Sequence, residues 1–175
     1  MANPTLTLIS SQTLGSSTAS VTFSSIPTSY NDLKLVASAR GDTAIIVASV
    51  NLKINGDTAT NYSATYLQGN SSTAASGRTS SSTADGTMSE DGANATASTF
   101  GAMELYFPNY NSTGSKPFFD IDITEHNSAS GGFSLINTGS HLYRGASGIT
   151  SITLTPSSGN FVQYSNFYLY GIKNS

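Results

Sequence analysis

The chain contains no cysteine and no tryptophan, and only 10% of its 175 residues are charged. Without thiols, disulfides, thiolate metal sites and cysteine nucleophiles are excluded. Seven Lys and Arg stand against ten Asp and Glu, a formal net charge of −3. Such a balance leaves no basic stripe to track the phosphates of a nucleic acid and no basic run to meet an anionic membrane surface. The longest apolar stretch, residues 43–50, is too short to cross a bilayer. The first ten residues lack a basic n-region and an apolar h-region, so no secretory signal is expected. The sequons at Asn61, Asn70, Asn94 and Asn111 are then chance matches in a Ser/Thr-rich chain. No segment carries a 3.6-residue apolar stripe with helix caps.

Hydroxyls supply the polarity that charge does not. Serine and threonine fill about 30% of the chain, far above ordinary usage. Hydrophobic residues make up 37% and come in ordered runs, unlike a disordered chain of low hydrophobicity and high net charge. A chain of this length forms one domain with a sizeable core.

The runs alternate with a period of two. Leu6, Leu8 and Ser10 oppose Thr5, Thr7 and Ile9, and Ala19, Val21 and Phe23 alternate with hydroxyls. Leu33, Leu35, Ala37 and Ala39 share one face, with Lys34, Val36, Ser38 and Arg40 on the other. The same rhythm runs through Ile46 to Ile54, through Phe119, Ile121 and Ile123 against Asp120, Asp122 and Thr124, and through Ile152 and Leu154. The last strand, residues 161–173, is aromatic on both faces. Turn chemistry separates these runs at Ile26-Pro27, Asn55-Gly56-Asp57, Pro108-Asn109, Gly131-Gly132 and residues 156–159. Nine or ten such strands predict an all-β, antiparallel β-sandwich, jelly-roll-like in its strand number and irregular loops. Residues 69–99 break the rhythm, being almost wholly Ser, Thr, Ala, Gly and Asn with Arg78, Asp85, Met88, Glu90 and Asp91 interspersed. They read as one long loop or arm within the single 1–175 domain, either a flexible surface loop or, the favoured reading, an arm ordered against a neighbouring subunit.

Candidate chemistry is sparse. Asp120, Asp122 and His126 share one strand face, where alternate residues sit roughly 6.5–7 Å apart, a spacing that could serve glycoside hydrolysis or calcium. The same residues fill the polar positions of an alternating strand, and the favoured reading is a solvated face. His141 and His126 are the only histidines, and the spacing supplies no metal partners for them. No Gly-x-Ser-x-Gly elbow, phosphate loop or dinucleotide fingerprint occurs. No catalytic residue, metal ligand or cofactor is therefore expected. Tyr106, Phe107, Tyr110, Tyr143, Tyr164, Tyr168 and Tyr170 could form a sugar-stacking platform, but core and interface packing is the favoured role.

Several segments carry a resemblance together. They include Tyr30-Asn31-Asp32-Leu33-Lys34-Leu35-Val36, Leu52-Lys53-Ile54-Asn55-Gly56-Asp57, Tyr66-Leu67-Gln68-Gly69-Asn70, Tyr106-Phe107-Pro108-Asn109-Tyr110 and Phe167-Tyr168-Leu169-Tyr170-Gly171-Ile172-Lys173. In these the chain resembles small virion structural proteins of tailed bacteriophages, common in marine phages and cyanophages, of the capsid decoration or cement type. The resemblance implies a non-catalytic homotrimer, made in the bacterial host cytoplasm, that binds the major capsid protein on the outer surface of the head and stabilises the shell. From position and composition, the expected contacts are Met1, Pro4 and Leu6 near the N-terminus, Arg78 and Met88 in the long loop, and Phe107, Pro108 and Tyr110 at the turn. The alternatives are a tail-fibre or tail-tip module that binds host-surface glycans, and a sandwich hydrolase using Asp120 and Asp122.

Overall fold

The computed structural model describes residues 5–70, 73–124 and 134–173. Every named element is a strand. In chain order they are β1 (Leu6–Thr13), β2 (Val21–Phe23), β3 (Asp32–Ala39), β4 (Val47–Ile54), β5 (Tyr62–Asn70), β6 (Thr73–Ser82), β7 (Asp85–Asp91), β8 (Gly101–Phe107), β9 (Lys116–Ile123), β10 (Leu135–Tyr143), β11 (Ile152–Pro156) and β12 (Asn166–Ile172). An eight-stranded sheet runs β1-β12-β3-β8-β9-β10-β5-β6, and a four-stranded sheet runs β2-β11-β4-β7. All the ladders between named strands are antiparallel. This is a β-sandwich. The division into eight and four strands establishes the two layers of the sandwich.

The alternation predicts the core well where apolar residues face in. Leu33, Leu35, Leu105, Phe107, Phe167 and Leu169 of the large sheet join one buried cluster with Val50, Leu52, Ile54, Met88, Ile152 and Leu154 of the small sheet. Each of these larger side chains contributes roughly 1.5–3 kcal/mol on leaving water. At the Asn55-Gly56 corner both central residues have positive φ, 54° and 65°, and the Asp57 amide donates to the Ile54 carbonyl at 3.0 Å. That geometry is the type I′ turn for which Asn-Gly is the preferred pair. The Asn55 carboxamide oxygen also accepts from the amides of Thr150 and Ser151, which pins the corner to the segment leading into β11.

The expected long loop at 69–99 is not a loop. β6 pairs with β5 along its length, from Asn70 opposite Thr73 to Tyr62 opposite Ser82, and β7 pairs with β4. Backbone ladders need no apolar side chains, so a hydroxyl-rich strand forms where a partner edge is offered. The turns at 92–100 are held by Arg40, which the alternation alone places on a solvent face. Its side chain is instead 9% exposed, and its guanidinium donates to the carbonyls of Ala93, Ala95, Thr96 and Thr99 at 2.7–3.1 Å. The final strand is shorter than the sequence suggests. Residues 161–165 form a bend with Tyr164 at φ 72°, and the ladder begins at Asn166.

Candidate functional site

Strand β9 is turned inside out. Its polar positions, Lys116, Asp120 and Asp122, are buried, while Phe119, Ile121 and Ile123 are 46%, 40% and 41% exposed. The solvated-face expectation for Asp120 and Asp122 is therefore overturned, and both carboxylates are fully buried between the sheets. His126, the third member of that expected face, lies outside the described residues.

The inversion is explained by what lies inside. The ladder sets Asn137 beside Asp122 and brings His141 within reach of Asp120. A bulge in β7, between the pairs Val50–Met88 and Leu52–Asp85, lets Asp85 point inward along with Met88. The imidazole of His141 then spans the two layers. Its Nδ1 lies 2.5 Å from Asp85 Oδ2, and its Nε2 lies 2.6 Å from Asp120 Oδ1. Phe118 stacks on the ring at 4.6 Å. Gly139 makes room for the contact: a Cβ there would strike His141 Nε2 and sit 2.6 Å from Asp120 Oδ1. The Asn137 amide donates to Asp122 Oδ1 at 2.8 Å and to the Thr87 carbonyl at 3.1 Å, a second tie between the sheets.

Charge inside this cluster follows from its partners. Burial alone would lower the His141 pKa, but hydrogen bonds with Asp120 and Asp85 and the charges of both raise it to about 9. The ring is thus an imidazolium at neutral pH, donating to two carboxylates. Burial, reinforced by neighbouring Asp120, pushes Asp122 up to about 8 against the opposing pull of Asn137 and Ser89. Nearby on β7, Glu90 is fully buried with neither carboxyl oxygen hydrogen-bonded. Burial first, and then the charges of Asp42 and Asp91, push its pKa up to about 9. Lys116, likewise buried, donates to the carbonyls of Gly114 and Gly145 at 2.8 Å each, and burial lowers its pKa.

The chemical capacity of the cluster is limited by its geometry. Asp85 and Asp120 occupy opposite edges of one imidazole, so their oxygens do not converge on a common point. Both ring nitrogens are engaged, and no described group of three or more His, Asp or Glu side chains could hold a metal ion. What the arrangement does physically is strap the β7 edge of the small sheet to β9 and β10 of the large one.

The outer face of the large sheet is the other notable feature. Because β9 is inverted, Phe119, Ile121 and Ile123 line up outward, with Ile136 opposite Ile123 on β10 and Leu67 opposite Thr138 on β5. Ile136 is 49% and Leu67 61% exposed. Tyr106 on β8 packs its ring against Phe119 at 5.4 Å. Farther along the same sheet, Tyr168 and Tyr170 stack at 6.5 Å, and Leu6 and Leu8 on edge strand β1 are half exposed. The charges facing out in the middle of this surface, Lys34 and Glu104, neutralise each other at 2.8 Å.

Of the contacts expected from sequence, Leu6 and Arg78 are exposed and Pro108 is half-buried. Met88, Phe107 and Tyr110 belong to the core and cannot meet a partner. They face inward because their strand parity or turn places them there, and the Tyr110 hydroxyl is spent on the Pro27 carbonyl. Met1 and Pro4 lie outside the described residues. The aromatic residues do not make one platform: Phe107, Tyr110 and Tyr143 are buried, Tyr106, Tyr168 and Tyr170 are half-buried in two groups, and Tyr164 stands apart. The outward strip of β9 escaped the sequence reading, although its signal, large apolar residues alternating with acids, was in plain view.

No family model matches this sequence, and no curated protein sequence is similar to it. Three solved structures show partial likeness. A scytalido-glutamic peptidase with a transition state analog inhibitor is 14% identical over 91% of this chain and 66% of that one, with a TM-score of 0.25. The Caenorhabditis elegans galectin LEC-6 is 12% identical over 90% of this chain and 99% of that one, with a TM-score of 0.24. The CBM2 module of the evolved Dit of Lactobacillus casei BL23 phage J-1 is 12% identical over 89% and 69%, with a TM-score of 0.18. Likeness at this level carries no argument about what this chain does.

Proposed function

We propose that this chain is a particle-coating structural protein of the phage capsid decoration type, which docks on the head through the outer face of its eight-stranded sheet. The observation that carries this reading is the inverted strand β9, which hides two acids and displays Phe119, Ile121 and Ile123. A strand that faces its apolar side to water is explained when that side is covered in the working assembly. Beside the strip, Lys34 and Glu104 pair with each other, so this part of the face is neutral and suits an apolar partner surface. Covering the remaining exposed half of Phe119, Ile121, Ile123, Ile136 and Leu67 is worth roughly 1 kcal/mol each. One weak contact of that size is multiplied when copies engage several capsid subunits or assemble as trimers over their junctions. Binding only the assembled shell stabilises it by mass action. The buried Asp85, His141 and Asp120 do not converge on a common point, which suits this role better than it suits catalysis.

The test is the protein's copy number in purified virions relative to the major capsid protein, with wild-type protein and the Ile121→Ser/Ile123→Ser variant. A ratio of order one for wild type, falling at least tenfold for a variant that unfolds at an unchanged denaturant midpoint, supports the reading. A handful of copies per virion, or full occupancy by the variant, overturns it.

A further inference from the structure

The same outer face holds a hollow at its β5–β6 margin, and its lining is of a different character from the apolar strip. It has a volume of about 570 Å³ and is lined by Arg78, Arg144 and a set of hydroxyls, with no carboxylate. In an acidic chain with seven cationic residues, this placement is selective. Lys34 is paired with Glu104, and Arg40 and Lys116 are buried on backbone carbonyls. Of the four cations left, two share this hollow.

The two guanidinium groups are held differently. Arg144 donates to Ser63 Oγ at 2.9 Å and to the carbonyls of Thr60 and Tyr62 at 3.1 and 3.5 Å, which fixes its plane while leaving further N–H donors open, since a guanidinium carries five. Arg78 is exposed on β6, opposite Thr65 in the ladder, and forms no ion pair among the described residues. Ser63 and Thr65 lie on one strand face, so the anchored and the free arginine stand beside alternate positions of β5. The floor between them offers Ser140 and the small apolar surface of Leu142 and Pro117.

We propose that this hollow binds an acidic saccharide, with Arg144 and Arg78 taking the acidic groups and the hydroxyls of Ser63, Thr65 and Ser140 meeting those of the sugar. Planar guanidinium forks match carboxylate oxygens bidentately. Serine and threonine hydroxyls both donate and accept, as the hydroxyls of a sugar ring require, and Leu142 with Pro117 offers a patch for its C–H face. β6 is the edge strand of the sheet, and the hollow runs from it across β5 and β10 to Pro117 on β9. The proposal does not depend on the particle-coating reading.

The experiment is titration calorimetry on the full chain with four probes: an oligogalacturonate, a neutral oligosaccharide of the same length, an oligoglutamate peptide and inorganic phosphate. The expected result is saturable binding of the oligogalacturonate that weakens with added salt, falls at least tenfold in Arg78→Ala and disappears in Arg78→Glu. The Arg78 side chain makes no bond to another described residue, so both variants should unfold at the wild-type midpoint. Equal binding of the neutral sugar would overturn the role of the arginines. Binding of phosphate or of oligoglutamate as tight as that of the oligogalacturonate would overturn the sugar assignment. No binding of any probe, or binding unchanged in Arg78→Glu, would overturn the site.

Discussion

The buried carboxyl of Glu90 makes a quantitative prediction about pH. Its pKa is pushed from 4.5 up to about 9, so in the folded chain it holds its proton across the neutral range, whereas in the unfolded chain it ionises above about 4.5. A raised folded pKa contributes stability that is fully present below the unfolded value and is lost as pH climbs towards the folded one. The slope is about 1.4 kcal/mol per pH unit for one proton, so between pH 5 and pH 8 this one group removes about 4 kcal/mol. Glu90→Gln deletes the titration while keeping the shape. The new amide has no more partners than the carboxyl had, so the absolute stability of the variant is a poor readout. The pH dependence is a clean one. Urea denaturation of both proteins at pH 5, 6.5 and 8 should show the variant gaining on wild type by about 4 kcal/mol over that span. A difference that stays flat with pH would refute the argument, because it would mean that Glu90 titrates alike in both states.

Three further predictions concern the buried His141 and Arg40. Removing the imidazole in His141→Ala leaves Asp85 and Asp120 buried without their shared cation and should cost about 3–5 kcal/mol at neutral pH, measured by chemical denaturation; a loss under 1 kcal/mol would show that the strap does not hold the sheets. In the wild type, the stability due to the raised His141 pKa is complete below about pH 6.5 and fades towards about 9, so its histidine proton signals should titrate near the upper value in NMR. Arg40→Met keeps the aliphatic stem but removes the guanidinium donors to the carbonyls of Ala93, Ala95, Thr96 and Thr99. It should cost about 1–3 kcal/mol and raise hydrogen exchange in residues 92–100 selectively, whereas uniform protection across that segment would show that the turns hold themselves.

Much of this was legible in the residues. The absence of helical stripes, the period-two runs and the turn pairs lead to an antiparallel sandwich, and Asn55-Gly56 marks its corner because only such residues adopt positive φ at two successive positions without strain. The core of β3 and β4 is readable for the same reason, since Leu33, Leu35, Leu52 and Ile54 have no competing polar role. Residues 73–91 were not legible. Their serines and threonines have no apolar period, and they become strands through hydrogen bonds to β5 and β4 that composition does not report.

The limit is sharpest at β9. Alternation shows that Phe119, Ile121 and Ile123 lie on one face and Asp120 and Asp122 on the other, since a period of two does nothing else. It does not say which face looks inward. The usual preference for apolar burial points the wrong way here, because the inner side is already polar: His141 and Asn137 arrive on β10, and Asp85 on the bulged β7. Those partners are distant in the chain, and one imidazolium shared by two carboxylates turns the acids inward and the apolar residues out. The sequence by itself determined that this chain is a sandwich of alternating strands; only the packing of its two sheets decided which side of β9 meets the solvent, because that choice depends on pairing energies between residues that no local pattern connects.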